Sequence, residues 1–244
     1  MTPTIETYTV LQAAFDHFNA ELFREDLPQC IITLRSSTRS YGYMHQRRFV
    51  NVAGRQVDEL GINPGFFALQ SIEEVMATVV HEMVHHWQNH FGSPSKSMPH
   101  NREWADKMES IGLMPSDTGL PGGKRTGRSM SDYIKIEGAF VSACGSLATK
   151  GIHLPWLDSH LSMTPDRMAE KRDQLVTSGV AFVGGEAPIT KAISAGVKLE
   201  LNAPTVRVAK PRIRQVCPKC QVSAWTAPGV AITCGACDKP MEEQ

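Results

Sequence analysis

Apolar positions in the first quarter of the chain follow a helical period. Leu11, Ala14, Phe15, Phe18 and Leu22 fall on one stripe, which predicts an amphipathic helix over 5–24, ended by Leu27-Pro28. Three short runs rich in branched and aromatic residues (30–35, 43–51 and 57–63) predict strands. A second helix is predicted over 72–91. Ser71 and Glu74 form a capping box before it, and Gly92 stands where a C′ glycine belongs. A third helix, about 102–112, opens at Asn101 and carries Trp104, Met108 and Ile111 as its apolar stripe. Helix, small sheet, helix, helix is an α+β layout.

The pattern weakens after residue 116. Gly and Pro between Thr118 and Lys124 predict a loop, whose glycine spacing and Arg125 do not fit a phosphate-binding loop. Short strand-like runs are read at 133–136 and 139–141. Thr164-Pro165-Asp166 marks a helix start and Gly179 its stop. Residues 184–205 read as a linker or loose hairpins. The predicted organisation is therefore a first domain over 1–116, a middle extension over 117–205 and a C-terminal segment over 206–244.

Composition narrows the function class. The 244 residues are 41% hydrophobic, too apolar for disorder throughout, and 25 basic side chains balance 25 acidic ones. That balance excludes a uniformly basic nucleic-acid coat but not a local basic patch. No apolar run approaches a membrane span, and the first residues lack the basic and apolar regions of a signal peptide, so a cytoplasmic protein is expected. Four of six cysteines lie near the C-terminus as two Cys-x-x-Cys pairs, which suits thiolate metal binding in a reducing compartment. Cys30 and Cys144 are left as buried thiols.

The predicted 72–91 helix contains His81-Glu82-Met83-Val84-His85. Positions i and i+4 share a helix face, so both imidazoles can reach one metal ion. Glu82, offset by about 100°, flanks that ion without ligating it and can take a proton from the attacking water. Val79, Val80, Val84 and Trp87 make the helix mostly buried, and two buried histidines beside a glutamate are costly without a partner. A catalytic zinc wants a third protein ligand and an open position. Gln88 and Phe91 exclude the arrangement in which a glycine and a histidine follow on the same segment. His100 and Glu103 are the remaining candidates, and His100 is favoured because imidazole suits zinc. His86 and His90 form another i, i+4 pair on a different face and are read as solvent-facing.

These pieces, with Phe18-Asn19, Leu22-Phe23, Leu27-Pro28, Ile32-Thr33-Leu34, Gly42, Trp87-Gln88, His100-Asn101-Arg102-Glu103-Trp104 and Ile111-Gly112-Leu113, make residues 1–116 resemble the SprT-like, or Spartan-type, zinc metalloprotease domain. The resemblance implies a zincin-like fold, peptide-bond hydrolysis and a third zinc ligand at His100. It also implies action on proteins attached to DNA. Asn101 departs from the glycine common at that position in the family.

Cys217-Pro218-Lys219-Cys220 and Cys234-Gly235-Ala236-Cys237 stand 13 residues apart. Two such knuckles build a closed tetrahedral site, so a structural zinc is expected there beside the catalytic one. The run resembles the C-terminal zinc ribbon of bacterial and phage SprT-like proteins. Between 202 and 237 there is no acid and there are five cations: Arg207, Lys210, Arg212, Arg214 and Lys219. With Trp225 they are candidate nucleic-acid contacts, cations for phosphates and an aromatic for an exposed base. The bland alternative is a solvated arm with Trp225 as the ribbon's small core. Residues 238–244 carry −2, which leaves −3 on residues 1–201.

The leading expectation is a zinc endopeptidase with Glu82 as general base, His81, His85 and His100 on the catalytic zinc, and a protein substrate. DNA is an expected partner through the ribbon, and no membrane is. The alternatives are a non-catalytic zinc-containing adaptor and a DNA-independent processing peptidase.

Overall fold

The computed structural model describes residues 2–37, 40–180, 184–204 and 211–243. Among them are six helices and several small sheets, a mixed α/β arrangement. The chain divides into two compact units, Met1–Pro204 and Thr205–Gln244. No helix among the described residues is long and apolar enough to cross a membrane.

In the first unit, helix α1 (Pro3–Phe23) buries the whole predicted stripe. Arg24 and Glu25, both left-handed at φ 58° and 63°, end it before Leu27 is reached. The Asn19 side chain then holds both backbone groups of Leu27, at 3.1 Å and 3.0 Å, and so fixes the turn toward the sheet. Strands β1 (Ile31–Leu34), β2 (Gly42–Val50) and β3 (Gln56–Ile62) form one sheet in the order β1-β3-β2, parallel then antiparallel. Central β3 is buried over its last five residues, as a strand flanked on both sides should be. A bulge interrupts β2 between His45 and Phe49, with Arg47 at φ 52°.

Helix α2 (Ile72–Phe91) carries the predicted capping box in both directions. Val75, Met76, Val79, Val80, Met83 and Val84 give it a face buried in the main core with Phe15, Phe18, Leu60 and Ile62. Gly92 ends it, but in extended backbone at φ −123° rather than left-handed. A Cβ at Gly92 would stand 2.5 Å from a Glu103 carboxylate oxygen, so this glycine serves close packing. Helix α3 (Arg102–Ile111) starts at Asn101, whose side chain accepts from the Trp104 backbone N–H, and buries Trp104, Met108 and Ile111 as predicted.

Strands β4 (Leu113–Ser116) and β5 (Ser131–Ile134) pair antiparallel across the Gly-rich loop. The expected strand at 139–141 is instead the start of helix α4 (Ala139–Thr149). Phe140, Ala143, Cys144 and Leu147 recur at helical spacing and are all buried. Phe140 stacks on Phe18 of α1 at 5.8 Å between ring centroids. Helix α5 (Pro165–Thr177) begins at the predicted Thr164 cap. Helix α6 (Pro188–Ser194) lies within the stretch read as linker. Phe66, Ala68, Leu69, Leu161 and Met168 form a second, smaller core beneath α5.

Among its described residues the second unit has short strands and no helix: β6 (Ile213–Val216), β7 (Ser223–Thr226), β8 (Thr233–Cys234), β9 (Lys239–Pro240) and β10 (Glu242–Glu243). β10-β6-β7 make one antiparallel sheet and β8-β9 another.

Candidate active site

One donor atom from each of His81, His85 and His100 lies within 4.8 Å of the others. The first two come from one face of α2, and His100 stands just ahead of the α3 cap. Gly127 N–H donates to the His100 carbonyl at 3.0 Å, tying that residue to the loop before β5. Glu103 is not part of the group. Its carboxylate accepts from Gln88 Nε2 at 2.8 Å and from the Ser93 N–H at 2.7 Å, closing the α2–α3 connection.

The environment leaves ring nitrogens available. His81 Nδ1 lies 2.9 Å from Asp132 Oδ1, so its Nε2 is the nitrogen turned to the group. Burial works to lower the His81 pKa, but the Asp132 hydrogen bond and the nearby Glu82 and Asp132 charges raise it overall. Burial holds His85 well below the ordinary histidine range, reinforced by its histidine neighbours. Burial pushes His100 down to about 4, helped by His81. A neutral imidazole is the form that binds a metal. His100 Nδ1 is buried with no hydrogen-bond partner among the described residues. Trp104, fully buried, backs the three rings at 4.5–5.4 Å between centroids.

Glu82 is buried, and loss of solvent raises its carboxyl to about 7, with Asp132 adding to the rise and His81 opposing it. Gly42 on β2 makes room for it, since a Cβ there would stand 2.9 Å from Glu82 Cγ and Oε1. The three histidines and Glu82 line a cleft of about 750 Å³, whose walls include Tyr43, Arg128, Asp132 and Lys171. Asp132 had no sequence signal, because its partnership arises only when β5 pairs with β4 and brings it to α2. Arg125 in the Gly-rich loop is held by Asp106 and Glu109 at 2.7 Å and 2.8 Å. His86, expected at the surface, is buried and bonded to Asp58 and to the Pro28 carbonyl.

In the second unit the thiols of Cys217, Cys220, Cys234 and Cys237 also lie within 4.8 Å of one another. Cys220 and Cys234 sulfurs are 3.6 Å apart, far beyond a disulfide and close to the ~3.8 Å edge of a tetrahedron with 2.3 Å metal–sulfur bonds. The two knuckles repeat one geometry. The residue after each pair, Gln221 or Asp238, is left-handed and donates its N–H to the first cysteine's carbonyl at 2.9 Å or 2.8 Å. Backbone N–H groups of Cys220 and Lys219 help draw the Cys217 thiol down to about 7, toward the ligating thiolate. Trp225 is 64% exposed, so it is not the ribbon's core, which is formed by Val216, Cys217 and Cys234. Arg214 sits opposite Trp225 in the β6–β7 register and is exposed beside it. Arg212 and Lys219 are exposed too. Arg207 and Lys210 lie outside the described residues.

Residues 11–124 match the model of the SprT-like family. Over 59 residues the chain is 51% identical to a Salmonella typhimurium protein described as "Uncharacterized protein in mucB 3'region", covering 24% of this chain and 80% of that protein. No solved structure matches the chain. The family match begins in the buried stripe of α1, runs past β4 and encloses His81, Glu82, His85 and His100: the chain belongs to the SprT-like family.

Proposed function

We propose that this protein is a zinc-dependent endopeptidase of zincin-like architecture that cleaves DNA-associated proteins, with a Cys₄ zinc ribbon that recruits nucleic acid. The observation that carries the reading is the convergence of His81, His85 and His100 with Glu82 buried beside them in one cleft. Three imidazoles, with His85 and His100 held neutral by burial and His81 oriented by Asp132, fit a zinc ion that keeps an open position. Zinc, when bound, supplies Lewis-acid polarisation of the scissile carbonyl and lowers the pKa of water toward ~7.

The chain's own groups do the rest. Asp132 holds the His81 ring in one orientation and tautomer. Glu82, raised to about 7 by burial, takes the proton of the attacking water and returns it to the leaving amine. The cleft gives a substrate access to these groups, and buried Trp104 packs behind the histidine cluster.

The four ribbon cysteines would hold a second, structural zinc, since four thiolates leave no position for substrate. Exposed Trp225 beside Arg214 supports nucleic-acid contact there, an aromatic face for a base and a cation for a phosphate.

The test is cleavage of casein and of a DNA-binding protein by wild type and Glu82→Gln, with and without single-stranded DNA. Glu82→Gln should retain zinc and lose cleavage. Full activity in that variant overturns the mechanism, and cleavage indifferent to DNA removes the nucleic-acid part.

A further inference from the structure

Helix α2 carries a second pair of histidines at i, i+4 spacing, His86 and His90, on another face from His81 and His85. Across from them on β3 stands Asp58, buried at 4% exposure. Its Oδ2 lies 3.0 Å from His86 Nδ1 and 3.0 Å from His90 Nε2. The donor atoms of all three residues are within 4.8 Å of one another.

Proton bookkeeping makes this more than a polar cluster. His86 Nε2 lies 2.8 Å from the Pro28 carbonyl oxygen, which can only accept, so that nitrogen carries a proton. In the neutral imidazole, Nδ1 then presents its lone pair to the Asp58 carboxylate, two acceptors at 3.0 Å with no hydrogen between them. Either a second proton or a cation must sit there, and His90 directs a third donor at the same spot. Ligands ~2.1 Å from one metal and ~90–110° apart are themselves ~3.0–3.4 Å apart, which matches the two 3.0 Å separations.

The outer contacts are those a ligand set requires. The Pro28 carbonyl fixes the His86 tautomer with Nδ1 inward, and the Arg47 N–H holds Asp58 Oδ1 at 2.8 Å, leaving Oδ2 for the site. The bulge in β2, with Arg47 left-handed, is what aims that N–H. His86 is wholly buried, whereas the His90 side chain is one-third exposed, giving an entry path and room for water ligands.

We propose that Asp58, His86 and His90 form a third metal site, structural in role, that takes a first-row divalent cation such as Zn²⁺ and pins the C-terminal half of α2 to the β2–β3 sheet. One carboxylate and two imidazoles suit that class of ion better than Mg²⁺ or Ca²⁺.

The full-length protein, wild type and His90→Gln, is dialysed to equilibrium against buffered micromolar Zn²⁺, and metal per chain is counted. Glutamine keeps a hydrogen-bond donor for Asp58 but is a poor zinc ligand, so a cluster held only by hydrogen bonds or charge would show the same metal content in both proteins. Wild type should hold one equivalent more than His90→Gln. The histidine and ribbon sites are common to both proteins and cancel in the difference. Zinc should also raise the Tm of wild type more than that of His90→Gln. Equal metal content in the two proteins overturns the proposal, whatever the absolute count. His90→Ala, at a surface position, repeats the comparison should glutamine perturb folding.

Discussion

Asp132 Oδ1 sits 2.9 Å from His81 Nδ1, and the residues that meet there are 51 positions apart. Both side chains are nearly buried, at 14% and 12% exposure, so the pair is shielded from solvent screening. A carboxylate behind a ligating imidazole sets its tautomer and raises its basicity. Asp132→Ala should therefore weaken zinc affinity at the histidine cluster by about 10–100-fold. Competition with a chromophoric chelator measures this directly. Any metal held by the four cysteines should be unaffected, which separates loss of this contact from general unfolding.

Gly42 and Glu82 share a volume that admits only one of two side-chain atoms. The added methyl of Gly42→Ala would stand 2.9 Å from Glu82 Cγ and Oε1 and 3.0 Å from the Gly61 carbonyl oxygen. The carboxylate must move, since the Gly61 backbone belongs to the central strand. Displacement by about 1 Å at a reacting group costs on the order of 100-fold in rate. Gly42→Ala should retain zinc and lose kcat by about that factor. Unchanged kcat with normal metal content would show that Glu82 does not need its present position.

Much of this was legible locally. The α1 stripe, the Ser71–Glu74 capping box and the Asn101 cap each depend on residues within one or two turns, and each formed as read. The two Cys-x-x-Cys knuckles and the His81–His85 pair are equally local. What failed or was missing is non-local. Residues 139–141 look like a strand until Cys144 and Leu147 are counted with Phe140 and Ala143 on one helix face. His86 looks solvent-facing until Asp58 and the Pro28 carbonyl are folded against it. Asp132 is one carboxylate among many until β4 and β5 pair.

Glu59 on β3 should make stability depend on acid pH. It is 7% exposed and accepts from Tyr43 Oη at 2.7 Å and Thr33 Oγ1 at 2.8 Å, with His45 and Arg48 each 3.5 Å away. Burial alone would raise its pKa, but the hydrogen bonds from Tyr43 and Thr33 and the adjacent His45 bring it below the usual carboxylate value. A depressed folded pKa means the unfolded chain binds the proton first as pH falls. The stabilisation is thus present above the unfolded value of about 4.3 and is lost as pH drops through the folded one. Glu59→Gln should cost about 1.5–3 kcal/mol at pH 7, the range for hydrogen bonds to a charged group. Urea melts should show that gap narrowing below pH 4, an outcome reversed if the carboxyl were held protonated.

Trp225 and Arg214 face each other across β6 and β7, both exposed, on a ribbon whose described cations include Arg212 and Lys219. An exposed tryptophan contributes little to a small fold's stability, so its removal should be silent in the melting curve. If it stacks on a base, Trp225→Ala should weaken single-stranded DNA binding by about 1–3 kcal/mol, a factor of roughly 5 to 150. Arg214→Ala should act differently. Losing one phosphate contact lowers the slope of log K against log salt by about 0.7 for a single strand and costs little at high salt. Fluorescence anisotropy titrations of the full-length variants at several salt concentrations distinguish the two effects. Equal loss in both variants with unchanged salt slopes would mean that the pair is not a stacking and phosphate site, and that the basic arm acts elsewhere.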